Sequence, residues 1–176
     1  MFGWGKKKAA GGDGVDWPVD PTLDDLIRLG AYRRFTDVDI AAIADDVLAA
    51  FPDLAGRITI VGCDWLGRVF ATDSARDGEI LMLEPGTAEA LEIPVDFAEF
   101  EASELVDNPD AALALGFYQS WREAGGAAPG LDQCIGYRKP LFLGGADALE
   151  NLELSDLSVY WSATAQVIAQ LRAQGG

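Results

Sequence analysis

Arg57-Ile58-Thr59-Ile60-Val61-Gly62-Cys63, Arg68-Val69-Phe70-Ala71-Thr72-Asp73, Glu79-Ile80-Leu81-Met82-Leu83-Glu84 and Ala90-Leu91-Glu92-Ile93-Pro94-Val95 are four short apolar runs in one stretch of chain. Each has the length and the branched or aliphatic content of a β-strand, and turn chemistry separates it from the next. Asp64-Trp65-Leu66-Gly67 lies between the first two runs, and Ser74-Ala75-Arg76-Asp77-Gly78 between the second and third. In the latter, Asp77-Gly78 supplies the pair that tolerates positive φ. Pro85-Gly86-Thr87 turns the chain into the fourth run. No helical segment intervenes, so the strands must return by hairpins, and the sequence predicts an antiparallel meander rather than βαβ units. Ile58, Ile60, Phe70, Leu81 and Leu83 are its expected core positions.

Helices are expected on both sides of this meander. Thr22-Leu23-Asp24-Asp25 and Thr36-Asp37-Val38-Asp39 are both Thr-x-x-Asp starts, close relatives of the capping box. The first is followed by Leu23, Leu26 and Ile27 on one face up to Gly30. The second is followed by Ile40, Ile43, Ala44, Val47 and Leu48 at helical spacing up to Phe51-Pro52. Beyond the strands, helices are expected over Asp96 to Leu105 and again after Asn108-Pro109, an N-cap followed by proline at the first helical position. Leu113, Phe117, Ser120 and Trp121 would line one face of the second, and Gly125-Gly126 would end it. Gln133 to Leu143 reads as a strand that Asn151 to Leu154 can pair with. A last helix, capped by Ser155 or Ser158, runs to about Leu171 with Val159, Ile168 and Leu171 among its apolar positions. The whole predicts one α+β domain over residues 16–176. Residues 1–15, with five glycines and Lys6-Lys7-Lys8, form a tail of no periodicity that is expected to be disordered.

Charge narrows the partners. The chain carries 13 basic and 29 acidic residues, a net charge of -16. Three lysines and one aspartate lie in the first 15 residues, so the remainder holds 10 bases against 28 acids. Such a field repels phosphate backbones and anionic lipid, so neither nucleic acid nor membrane is an expected partner. It serves solubility, and it also attracts a basic protein. Met1 to Lys8 lacks the apolar run of a secretory leader, and nothing approaches the ~18 apolar residues of a membrane span; a cytoplasmic location is expected. Cys63 and Cys134 stand 71 positions apart with no C-x-x-C, which predicts two buried thiols in a reducing compartment, with a disulfide as the alternative.

There is no histidine. Serine–histidine and cysteine–histidine catalysis and the common zinc and non-haem iron sites therefore lose their usual base or ligand. No catalytic residue, metal or cofactor is assigned. An enzyme here would run on carboxylates, with Asp64 beside Trp65 as the candidate raised-pKa acid. The simpler reading makes Asp64 a turn residue accepting backbone N–H bonds, with Trp65 at the core edge. Asp73 to Glu79 lacks the ligand spacing of a calcium loop and reads as a hairpin. Gly144-Gly145 lacks the surroundings of a phosphate loop and reads, with Gly67, as a structural turn. Tyr160-Trp161 offers one ring to the core and one outward, an interface candidate. Glu99, Glu101, Glu104 and Asp107 form an exposed acidic face, a solvated surface in itself and the strongest local attraction for a basic partner.

Two stretches carry a family likeness: Gly62-Cys63-Asp64-Trp65-Leu66-Gly67-Arg68-Val69-Phe70-Ala71-Thr72-Asp73, and Gly136-Tyr137-Arg138-Lys139-Pro140-Leu141-Phe142-Leu143-Gly144-Gly145 followed by Glu150 to Trp161. They resemble the C-terminal domain of bacterial type VI secretion immunity proteins, first described as a domain of unknown function and akin to the SUKH-like immunity folds. The resemblance extends from about Leu23 to Leu171. It implies a SUKH-like α+β domain that binds a cognate toxin in the cytoplasm and blocks it sterically, without catalysis. SUKH-like folds also serve as regulatory scaffolds, which is the alternative function; a carboxylate hydrolase is the third.

Overall fold

The computed structural model describes residues 14–175. All but the last two residues of the tail expected to be disordered, the lysine triplet included, lie outside the described residues. Thr22 caps α1 (Leu23–Arg28) and Thr36 caps α2 (Asp37–Ala50) by the same reciprocal device. Each hydroxyl accepts the N–H of the aspartate three residues on, and that carboxylate accepts the threonine's own backbone N–H. Leu26 in α1 and Ile43, Val47 and Ala50 in α2 are buried, whereas Ile27 is exposed.

A strand that the sequence pattern does not announce, β1 (Tyr32–Arg34), follows α1. It exists because a neighbour holds it: Tyr32, Arg33 and Arg34 register against Asp64, Cys63 and Gly62. The meander then runs as β2 (Ile58–Asp64), β3 (Val69–Asp73), β4 (Glu79–Glu84) and β5 (Glu89–Ile93). Spatial order equals chain order, β1-β2-β3-β4-β5, and every pairing is antiparallel. The turn into β4 uses Asp77 at φ 55° and Gly78 at φ 84°, the positive-φ pair read from sequence.

Helices cover both faces of the sheet, which explains why Ile80-Leu81-Met82-Leu83 is apolar throughout rather than alternating. Phe70, Ile80 and Met82 face a cluster with Phe100, Leu105, Leu113 and Tyr118. Val69, Ala71, Leu81 and Leu83 face a second cluster with Ile43, Val47, Trp161 and Ile168. Of the expected core positions, Ile60, Phe70, Leu81 and Leu83 are buried, and Ile58, at the start of its strand, is half-buried.

On the first face, α3 (Phe97–Glu99) continues through a π-helical turn, Phe100–Glu104, into α4 (Leu105–Asp107). Pro109 opens α5 (Pro109–Leu113) as expected, but the Asn108 side chain makes no cap and donates instead to Glu104 at 3.3 Å. Ala114, left-handed at φ 49°, separates α5 from α6 (Leu115–Glu123). Leu115, Tyr118 and Arg122 are buried; of the expected face, Leu113 is buried, Phe117 and Trp121 pack half-buried against the same cluster, and Ser120 is exposed.

The expected strand to Leu143 stops early. β6 (Gln133–Tyr137) gives way at Pro140 to a 3-10 turn, Leu141–Leu143, and pairs with β7 (Leu152–Asp156) in a separate two-stranded sheet. α7 (Leu157–Gln174) is capped by Asp156 rather than by either serine; its carboxylate accepts the Val159 N–H at 3.0 Å and the Ser158 hydroxyl at 2.8 Å. α7 packs beside α2 on the second face, where Arg172 donates to the Ala50 carbonyl. Its inward residues are Leu157, Tyr160, Trp161, Thr164, Ala165 and Ile168. Of its other apolar residues, Val159 and Leu171 are 64% and 43% exposed.

Candidate partner-binding surface

The two stretches that carry the family likeness are distant in sequence and packed together in space. In the β2–β3 turn, Asp64 accepts the N–H groups of Leu66 and Arg68 on one oxygen, each at 3.0 Å, and the Arg68 Nε on the other at 2.6 Å. This is the turn role expected of the aspartate, with a buried ion pair added. Burial pushes the Asp64 carboxyl up from its ordinary value, and Arg68 opposes it. Both oxygens are thus occupied from within the chain, although Asp64 is among the residues that line the larger cleft described below. Trp65, expected at the core edge, lies in the core itself at 1% exposure; its indole stacks on Tyr118 and donates to the Leu113 carbonyl at 2.7 Å.

Gly67 closes the turn at φ 78°, and a Cβ there would stand 3.0 Å from the Cys134 sulfur and 3.3 Å from the Tyr160 ring. Glycine is needed for both reasons at once, the left-handed backbone and the close approach. Gly144 is likewise left-handed at φ 81°, and a Cβ on Gly145 would collide with the Lys139 carbonyl. Asn151, which sequence reasoning passed over, stitches that turn together. Its amide donates to the carbonyls of Lys139 and Ala146, both at 2.8 Å, and its oxygen accepts the Lys139 N–H at 3.0 Å.

Tyr160 and Trp161 do not divide between core and solvent. Both are buried, at 8% and 0% exposure, because α7 enters the junction between β6 and the β2–β3 turn. The Tyr160 ring covers Gly136 and its hydroxyl accepts the Tyr137 N–H at 3.3 Å; the Trp161 indole donates to the Gly67 carbonyl. Neither ring is available to a partner. Both cysteines are free and buried, so the reading as core thiols holds and the disulfide alternative does not. Burial pushes the Cys63 thiol up to about 12 and raises Cys134 as well.

The acidic face also divides. Glu99 and Asp107 are exposed and Glu104 is half-buried, but Glu101 turns inward at 9% exposure. It accepts Arg34 Nε and Nη2 at 2.6 and 2.7 Å and the Tyr32 hydroxyl at 2.9 Å, so it ties the π-helical turn to β1. Its role is structural. No signal in the sequence separates it from its neighbours, since β1 itself was not legible.

Two clefts share Arg33 as a wall, and the smaller adjoins the N-terminal ends of α2 and α7. The larger, about 290 Å³, lies between the α1–β1 connection and the loop before β6; Ile27, Tyr32, Arg33, Trp65 and Leu131 are among its walls. The smaller, about 90 Å³, is walled by Asp39, Ile43, Asp132, Asp156 and Leu157, and Arg33 lines both. The Arg33 guanidinium lies over the Phe35 ring at 5.1 Å with Nη2 toward the Cys63 sulfur at 3.7 Å, while its buried Nη1 has no hydrogen-bond partner. Among the described residues no group of histidine, cysteine, aspartate or glutamate is arranged to hold a metal ion, and no helix is long and apolar enough to cross a membrane.

No family model matches the chain, and no curated protein matches it. Among solved structures the chain is similar to Atu4351 from Agrobacterium tumefaciens, known from its crystal structure, with a TM-score of 0.52 and 16% sequence identity over 79% of this chain and 68% of that one. At that identity the likeness is one of fold: an α+β domain with a five-stranded antiparallel sheet flanked by helices.

Proposed function

We propose that this protein is a cytoplasmic immunity protein of the type VI secretion kind, with a SUKH-like domain that binds a cognate antibacterial toxin and neutralises it sterically. The observation that carries this reading is the junction just described. The residues that resemble the immunity family are spent on one another: Asp64 on its own turn and Arg68, Gly67 on Cys134 and Tyr160, Trp161 on Gly67. They build a centre whose polar groups are paired with one another, which suits a protein that works through its outer surface. That surface carries most of the net charge of -16, the complement of a basic toxin such as a nuclease that grips phosphates.

The test is co-expression with the toxin encoded beside this gene. Cells should survive the toxin when this protein is present, and the two should co-purify as a stable complex. Survival without a complex, or no protection at all, rejects immunity by direct binding and leaves the regulatory scaffold as the better reading.

A further inference from the structure

We draw no further inference here: the strongest candidate, the larger cleft between the α1–β1 connection and the loop before β6, is a mainly apolar recess with the exposed Ile27 and Leu131 among its walls, and nothing in the structure shows what covers it.

Discussion

The Trp161 indole donates to the Gly67 carbonyl at 2.9 Å, across 94 residues of sequence and from a ring with no exposed surface. This bond fastens the last helix to the β2–β3 turn, and both partners are constrained independently. Trp161 is held by its packing against Phe51 and the second core cluster. Gly67 is held by its left-handed backbone. Replacing Trp161 with phenylalanine keeps an aromatic ring but strands a buried carbonyl, which costs about 1–3 kcal/mol. Gly67→Ala adds left-handed strain to a contact at 3.0 Å with Cys134, and a loss of about 2 kcal/mol is expected. Urea unfolding of both variants checks this; midpoints equal to wild type would show that the junction does not hold the fold.

Glu101 separates structure from recognition on the acidic helix. Its bonds to Arg34 and Tyr32 make Glu101→Gln destabilising by about 1–2 kcal/mol, kept modest because Arg34 is more than half exposed to screening solvent. Glu99→Ser and Asp107→Ser, both at exposed positions, should stay within about 0.5 kcal/mol of wild type. Thermal unfolding of the three single variants gives the comparison, and equal losses at all three sites would contradict the inward role of Glu101.

What was legible in the sequence was what the chain specifies over a few residues. The two Thr-x-x-Asp boxes and the Asp77-Gly78 turn work as read, because a cap or a tight turn is decided within four residues. β4 has its expected bounds, Glu79–Glu84, since turn residues fence it on both sides. What was not legible depends on distant partners. Tyr32-Arg33-Arg34 is a strand only because Gly62–Asp64 is its neighbour. Glu101 faces inward because that strand brings Arg34 to it. Tyr160 and Trp161 are both buried, although adjacent on a helix, because α7 is wedged between Gly136 on one side and Gly67 on the other. Arg33 and Leu131 carried no sequence signal at all, because only the fold brings them to the wall of one cleft.

Alkaline pH should unfold the protein before it exposes any native thiolate. Burial favours the protonated form of Cys63, raising its pKa from 9.0 to about 12, and burial likewise raises Cys134, Tyr32, Tyr137 and Tyr160. These groups ionise at lower pH in the unfolded chain, so their contribution is fully present below pH 9 and is lost as pH climbs toward 12. The urea midpoint should therefore fall between about pH 9 and about pH 11, while a thiol reagent near pH 8 should label neither cysteine until denaturant is added. The acid side has the opposite sign. A hydrogen bond from Arg28, with others from Thr22, lowers Asp25 to about 2, so its contribution is present above 3.8 and disappears as pH falls toward 2. Rapid labelling of the native protein near pH 8 would count against burial of the thiols.

Under the immunity function proposed above, salt should act on the rate of association with the toxin rather than on the fold. With 28 acids against 10 bases beyond residue 15, the protein's field extends past its contacts and steers a basic partner. At about 0.1 M ionic strength the screening length is ~10 Å, so raising salt tenfold confines that field to close contacts. The association rate constant should drop by about tenfold or more over that range, while dissociation changes little. Glu99, Glu104 and Asp107, all at least partly exposed, form the local concentration of this charge, and Glu101 is excluded because its removal would loosen β1. The triple variant Glu99→Ser/Glu104→Ser/Asp107→Ser should associate more slowly and show a shallower salt dependence, with its thermal unfolding nearly unchanged. Stopped-flow association at several salt concentrations measures both quantities. If the triple variant keeps the wild-type rate and slope, the steering field arises elsewhere on the surface, with Asp39, Asp132 and Asp156 around the smaller cleft as the next set to neutralise; if the wild-type rate itself does not respond to salt, charge complementarity is not what brings the toxin to this protein.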